Sequence, residues 1–553
     1  MAILTSYILS GVSPAELAGI LIFLCALKVT FSLYHYNPNP SKLPVVGIPP
    51  GPFGRIRAIP ASIRHYHSII ADGYLRYHKQ KNPTAFMAPW IMSHYIHVIP
   101  LQLISEHKSA PENVLSQAVA FQEEYGVLAI GGSEIFTHSY HVPILRQKLT
   151  ASLPRILDPM VEELEMSFKE EWEQPWVQRK NAEGWVEMPI FEETLKIVSR
   201  TTNRVFGGTV TSRDKVFLKN SIDFAIGAIM ASFGVQLFPR GMHTDGSRLV
   251  EPLLSFRNRR RMAFAAKILT PIIEERRAII ERNSKDEGSP EEPDDLLQYL
   301  LHQAIGLKAP HDSSYQVSCR YLMINFAAIH TTSLTFCNSI ANMAAYTDEL
   351  TGCSYWDLLR EEVEAVDRES EEGPGVWTKR KLNKLVGLDS FIRETLRKNV
   401  TSPVGLVRKV MPKEGYTYAN GLHVKHGELV GMPTLSVHFD DDTTGKQALD
   451  FIGFRYCRPY QELSGQAATD ISATGGTGKL AAVTTADEYL SFGHGKHACP
   501  GRFFGVIELK MFLKFCLLNY EIQPTKRAPT QYLWANPTPP FNMVIKMRKR
   551  RVD

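Results

Sequence analysis

The chain has no cysteine pattern that could build a disulfide framework. Its seven cysteines among 553 residues are Cys25, Cys319, Cys337, Cys353, Cys457, Cys499 and Cys516. The number is odd, and several sit in apolar stretches, where cysteine acts as a small buried hydrophobe. The folded mass is therefore expected to face a reducing compartment. Long blocks of one charge are also missing. The net charge is +5, and no long Lys/Arg block precedes the tail Lys546–Arg551, so nucleic acid is not the expected partner. No repeat of solenoid period occurs. The N-terminus lacks the basic flank and small-x-small cleavage site of a secretory leader. What the chain does have is 44% hydrophobic and 22% charged residues, enough to bury a large core.

Ser13-Pro14-Ala15-Glu16 reads as a helix start, with an N-cap serine, proline at the first helical position and glutamate three residues after the cap. The apolar run Leu17–Tyr34 follows, broken by one charge, Lys28, which can snorkel to the nearer interface. At ~1.5 Å per residue the segment reaches roughly 30 Å, one hydrocarbon thickness. Lys42, Arg55 and Arg57 beyond it place the bulk in the cytosol by the positive-inside rule. The expected layout is a short lumenal N-terminus (1–12), a transmembrane anchor helix (13–34), a Pro-rich linker (35–60) and one large domain (61–553).

Apolar spacing predicts helices over 161–173, 216–233, 263–282, 318–346, 356–366, 388–397 and 500–518. Strand patterns are short: 406–410, 422–424 and about 541–547. Segments 284–294 and 464–477 read as surface loops. The fold class is mainly α with small β-sheets.

One cysteine stands apart. Ser491-Phe-Gly-His-Gly-Lys-His-Ala-Cys-Pro-Gly501 places Phe492, Gly495, Cys499 and Gly501 at fixed offsets before a helix. Cys499 suits the cap and Pro500 the first helical position, so the helix dipole and nearby amides are expected to stabilise a thiolate. A haem iron that cleaves dioxygen needs such a ligand, because it pushes electron density onto the metal. Glycines let the loop pass close under a flat macrocycle, Phe492 can shield the sulfur, and His497 can reach a haem propionate. A zinc site of His494, His497 and Cys499 is the rival reading, but it lacks a second ligand pair.

The segment resembles the haem-binding signature of the cytochrome P-450 superfamily, F-x-x-G-x-x-x-C-x-G, at all four fixed positions. Ile392-Arg-Glu-Thr-Leu-Arg397 resembles the family's E-x-x-R motif, with Glu394 and Arg397 one turn apart on a helix. Phe451-Ile-Gly-Phe-Arg-Tyr456 resembles the loop whose arginine, here Arg455, completes a structural triad with that pair; Gly453 stands where many members carry proline. Phe326-Ala-Ala-Ile-His-Thr-Thr332 resembles the family's A-G-x-[D/E]-T-T segment over the haem, with Ala328 for the usual glycine and His330 for the usual acid. The resemblance implies catalytic roles for Thr331, which can bond back to the Ala327 carbonyl and open a groove, and for His330 as a proton relay. It implies a P-450 fold holding haem (heme b, iron protoporphyrin IX), with Cys499 as axial iron ligand and Arg146 and Arg408 as propionate contacts. The tryptophan often found one turn before Arg146 is replaced by Val142.

The expected activity is NADPH- and O2-dependent oxidation of an apolar small molecule. Electrons would come from a membrane-bound NADPH-cytochrome P-450 reductase, with a microsomal cytochrome b as a further donor. Lys496, Arg502, Lys510 and Lys514 are read as the basic surface that receives the donor. Ala327–Thr332 and Phe492–Phe504 look most like fungal secondary-metabolite enzymes of the ent-kaurene oxidase type, which implies a terpenoid substrate; a steroid hydroxylase is the runner-up. A haem-thiolate isomerase or dehydratase, needing no external electrons, is a further alternative. A haem-free membrane scaffold is the reading from a different class. Phe121, Phe224, Ile229, Phe233, Ala327, Val404 and Leu406 are the pocket candidates, and the apolar piece Phe233–Pro239 is read as dipping into the membrane.

Overall fold

The computed structural model describes residues 43–50, 54–90, 94–126, 132, 134–236, 255–284, 291–457, 480–533 and 536–551. The anchor expected at 13–34, residues 35–42 and 51–53 of its linker, the Phe233 side chain with residues 237–239 of the connector after it, and the loop at 464–477 lie outside the described residues. Among the described residues no helix is long and apolar enough to cross a membrane. The segment Gly54–Arg64 is helical, so regular structure begins inside the stretch read as linker.

A five-stranded sheet forms one flank. Its strands are β1 (Phe86–Trp90), β2 (His94–Val98), β3 (Leu115–Ser116), β4 (Gly405–Val410) and β5 (Leu429–Met432), in the order β1-β2-β5-β4-β3. The β2–β5 pair is parallel, and the other neighbours are antiparallel. Every residue of β1 is buried, so the strand carries none of the in–out alternation that marks a half-exposed sheet.

Helices make up most of the remainder: α1 (Gln117–Tyr125), α2 (Thr150–Ser167), α3 (Ile190–Gly207), α4 (Lys215–Gln236), α5 (Phe256–Asn283), α6 (Leu296–Leu307), α7 (Ser314–Ala345), α8 (Tyr355–Arg368), α9 (Val386–Lys398) and α10 (Arg502–Asn519). Short polar side chains start several of them. Ser116 accepts from the Val119 amide, Asp295 from Gln298, Ser313 from Gln316 and Ser354 from Trp356, each quieting an amide that has no partner in the first turn. The long α7 runs through the middle, against α3, α4, α5, α9 and α10. A helix so placed buries residues around its whole circumference, and α7 does so over most of its length. The largest apolar cluster surrounds it, and two smaller ones back the sheet.

Candidate functional site: a cysteine loop facing an open helix groove

The cysteine loop folds on itself. The Cys499 amide donates to the Phe492 carbonyl at 2.8 Å, and the Ala498 amide to Gly495 at 3.1 Å. Gly493 and Gly495 hold φ of +66° and +75°, values that favour glycine. At Gly495 an added Cβ would come within 3.1 Å of the Lys108 Cβ, so this loop also lies hard against its neighbour. Phe492 is half-buried against the main core.

The helix after the cysteine begins at Arg502 with Gly501 as its cap, not at Pro500 with Cys499 as its cap. Pro500 and Gly501 form an intervening turn. The electrostatic expectation changes with it. Burial pushes the Cys499 thiol up, and the Gly501 and Arg502 amides with the Arg502 charge offset this only in part. In the chain alone this is a half-buried, desolvated thiol whose anion needs a cation; a coordinated metal ion supplies one, since it deprotonates a thiol outright.

Glu394 and Arg397 are fully buried and joined by two 2.7 Å hydrogen bonds. Arg455 lies 3.5 Å from Glu394 and donates to the Lys446 and Gln447 carbonyls at 3.0 and 2.8 Å. Arg397 reaches further, to the carbonyls of His438, Ala448 and Asp450 at 2.6, 2.6 and 2.9 Å. His438 carries the tie onward. The Leu490 amide donates to its Nε2 at 2.8 Å, which leaves Nδ1–H for the Arg397 carbonyl at 3.2 Å. Burial and the Arg397 charge push this imidazole down to about 3, so it stays neutral and keeps that tautomer. Tyr489 Oη and Ser491 Oγ also donate to α9 carbonyls, those of Arg393 and Leu396. Three consecutive residues at the mouth of the cysteine loop are thus bonded to α9 and its partner His438.

Gly453 is explained by its neighbours. A Cβ there would meet the Tyr355 and Phe391 rings at 2.6 and 2.8 Å, and its amide donates to Tyr355 Oη at 2.8 Å, which proline cannot do.

Within the buried length of α7, Ala327 and Thr331 are exposed, one turn apart on one face. Thr331 Oγ1 donates to the Ala327 carbonyl at 2.7 Å, and Thr335 Oγ1 to Thr331 at 2.9 Å. His330, one turn after Ala327, is half-buried, with its two ring nitrogens enclosed and without a hydrogen-bond partner among the described residues. Burial pushes it down to about 4. Desolvation therefore favours the neutral imidazole, which runs against the proton-relay expectation. Behind α7, Glu508 of α10 accepts from Thr202 Oγ1 at 2.8 Å; burial pushes its carboxyl up to about 8.

Arg408 on β4 is buried, with Val407 O as a 3.0 Å acceptor and no carboxylate within ion-pair distance among the described residues. Burial pushes even this guanidinium down to about 10. Beside it His107, pushed to about 4 by burial, bonds Tyr418 Oη and the Leu406 carbonyl at 2.8 and 2.7 Å, and Leu406 itself holds a φ of +51°. Arg146 Nη2 donates to the Lys496 carbonyl at 2.9 Å, on the cysteine loop. His497 faces a carboxylate of its own chain, with Nε2 3.2 Å from Glu112. Burial raises the Glu112 carboxyl, but hydrogen bonds from His497, the Ala118 and Gln117 amides and Ser116 together hold it at about 2.

These features fit a haem. A desolvated, half-buried thiol needs a metal cation, a buried guanidinium lacks an anion such as a propionate, and a helix buried elsewhere opens one face at Ala327 and Thr331. A zinc centre does not fit, because no set of three metal-type ligands among the described residues includes Cys499. His494 is instead held by Lys108, Asp487 and Thr485.

Some expectations fail. Lys510 and Lys514 do not line a surface: Lys510 is buried against Asp389 at 2.7 Å, and Lys514 is buried with its ammonium over the Trp377 ring. Both sit on the inward face of α10, and desolvation lowers Lys514 to about 8. Lys496 is exposed at the loop, and Arg502 bonds the Cys499 and Val483 carbonyls. Phe224 and Val404 are core residues at 0% and 1% exposure, and Leu406 is buried as well, each in a different apolar cluster. Phe121 is half-buried against Phe136, and Ile229 is half-buried against the main core. His438, His107 and Glu508 were not foreseen; each is a lone polar residue whose partners are remote in sequence.

The fold and the cysteine centre define a haem-thiolate protein. The cytochrome P450 family profile matches residues 240–545, and the chain belongs to that family. It is 28% identical to cytochrome P450 monooxygenase avaL of Aspergillus versicolor, over 98% of this chain and 97% of that one. It is 27% identical to cytochrome P450 monooxygenase gloP of Glarea lozoyensis, over 90% and 89%. With cytochrome P450 monooxygenase olcJ of Penicillium canescens it shares 31% identity over 77% of this chain and 73% of the relative. The chain is accordingly an oxidoreductase that incorporates molecular oxygen.

Proposed function

We propose that this monooxygenase oxidises an apolar small molecule of the terpenoid class in fungal secondary metabolism, with electrons drawn from NADPH through a membrane-bound reductase. Residues 13–34 would anchor it in the endoplasmic reticulum membrane with the catalytic domain in the cytosol. The observation that carries the reading is Cys499, presented by a glycine loop tied through His438 and α9, in a chain whose long central helix opens one face at Ala327 and Thr331. The apolar class rests on the resemblance of Ala327–Thr332 and Phe492–Phe504 to ent-kaurene oxidase-type enzymes.

When bound, haem supplies the redox centre at which dioxygen is activated. Cys499 Sγ would hold it as a thiolate, and Arg408 and Arg146 are the cations for its carboxylates. Phe492, half-buried beside the loop, is placed to shield the sulfur. Thr331 Oγ1, held by the Ala327 carbonyl, is a hydroxyl on the open face of α7 from which a proton can be passed. Ala327 keeps the groove wide because it has only a methyl group.

The test is the reduced, carbon-monoxide-bound difference spectrum of the membrane fraction. Wild type is expected to give the red-shifted thiolate band, and Cys499→Ala to lose it; a wild type that folds without a haem band refutes the reading. Incubation with terpenoids, a reductase and NADPH then tests the substrate. Products that carry one added oxygen support it, whereas turnover without NADPH would point to an isomerase or dehydratase.

A further inference from the structure

A second cluster of ligating side chains lies apart from the cysteine loop. Glu134 and His138 sit one helical turn apart, the spacing that lets two side chains share one ligand. His311 comes from the loop that leads into α7, far away in sequence. The His138 Nδ1 lies 3.2 Å from Glu134 Oε2, and the His311 Nδ1 lies 4.0 Å from the same oxygen. The two imidazole centroids are 4.5 Å apart, and a donor atom from each of the three residues lies within 4.8 Å of the others. We propose that Glu134, His138 and His311 form a second metal site, for one divalent ion of the zinc class.

The donor set suits that ion. Two imidazole nitrogens and one carboxylate oxygen, with a fourth position left to water, make a common zinc environment. Bonds of ~2.0–2.2 Å in a tetrahedron put the donors roughly 3.3 Å apart. The Glu134–His138 pair already meets this separation, and His311 needs less than about 1 Å of further approach to Glu134. The parts that must move can do so: the His138 and Glu134 side chains are 55% and 39% exposed, while His311 is held at 11%.

Arg320 is the adverse charge nearby. Its guanidinium is spent elsewhere, on His141 Nδ1 at 2.7 Å and on the Ile135 and Glu134 carbonyls at 3.3 Å, and it stacks on the Tyr140 ring. Arg320 attracts the Glu134 carboxylate through space but forms no ion pair with it among the described residues, so its oxygens stay open to the imidazoles and an ion. An ion seated there would clip the segment 134–138, just before Arg146, to the loop that starts α7. Both of those elements serve the haem site, so the clip would stiffen its frame without touching the chemistry.

The experiment uses the full-length, haem-loaded protein without a histidine tag, treated with chelator, dialysed and then titrated with zinc chloride alone. Calorimetry and metal counting give the stoichiometry, and thermal scans give the midpoint. Wild type is expected to bind one zinc per chain and to melt higher with it. His138→Ala, Glu134→Gln and His311→Ala should each weaken binding at least about tenfold, the low end of what perturbing a metal's surroundings costs. Their carbon-monoxide spectra should stay unchanged, which separates this site from Cys499. His138 is exposed, so its variant folds; if His311→Ala does not, the other two decide the matter. A wild type that takes up no zinc, or a His138→Ala that binds it as tightly as wild type, overturns the proposal.

Discussion

Arg397→Ala is the substitution with the largest expected structural effect. Arg397 is 1% exposed and Glu394 0%, so truncation leaves a buried carboxylate with only the Ile452 amide at 2.9 Å and the Arg455 guanidinium at 3.5 Å. Breaking a buried pair from one side costs ~3–5 kcal/mol. The carbonyls of His438, Ala448 and Asp450 lose a donor as well, at ~1 kcal/mol or more for each that water cannot reach. The sum is on the order of 6 kcal/mol, comparable to the 5–15 kcal/mol that holds a typical protein together. Because His438 also bonds the Leu490 amide, the loss is expected at the cysteine loop first. Arg397→Lys keeps the charge but cannot bridge two carboxylate oxygens and three carbonyls at once, so it should fall between wild type and alanine. Glu394→Leu combined with Arg397→Leu should be milder than Arg397→Ala, since no lone charge stays buried. The assay is the thiolate band per unit of purified protein, together with a thermal scan. An Arg397→Ala protein with the full band, melting within about 2 °C of wild type, refutes the reasoning.

Gly453→Pro should destabilise by about 2–4 kcal/mol, from crowding of Tyr355 and Phe391 and loss of the bond to Tyr355 Oη; a thermal scan equal to wild type would show that the rings move aside freely. Glu508 has a folded pKa of about 8, above the ordinary ~4.3, so the folded state keeps a proton that the unfolded state loses between those values. Its contribution therefore makes stability fall as pH rises through that window, and Glu508→Gln should remove the fall, gaining on the order of 3 kcal/mol at pH 7. Thermal scans at pH 5 and pH 8 check this, and a variant-to-wild-type difference that does not change with pH counts against it. Arg408→Gln should lower haem content, read by the absorbance ratio of haem to protein, because it removes a buried cation that has no carboxylate partner among the described residues; unchanged haem retention would mean that Arg408 faces no propionate.

Signals that live within a few residues were legible without coordinates. The four fixed positions around Cys499 identify the family, because a loop that must pass close beneath a flat ring needs glycines at set places. The α7, α9 and α10 stretches announce themselves by length and apolar content, and the structure moves their ends by only a few residues. Thr331 bonding back to Ala327 is a property of one helical turn, and so it too could be foreseen.

Features that depend on which segments meet were not legible. Strand β1 and residues 95–98 of β2 are buried in a mixed sheet, so they lack the alternation that would betray them. Lys510 and Lys514 read as a charged face, and only the packing of α10 shows that they point inward, to Asp389 and Trp377. The end state of His330 was equally hidden, since its pKa is set by the shell of side chains around it and not by its neighbours in sequence. His438 reaches Arg397 and Leu490 across gaps of 41 and 52 residues, so no local pattern marks it. By itself the sequence determined the class of chemistry, because a metal ligand and its loop are local. The tertiary structure alone decided which charges are buried, which histidines stay neutral and what steadies the cysteine loop, because those depend on desolvation and contact between segments far apart in the chain.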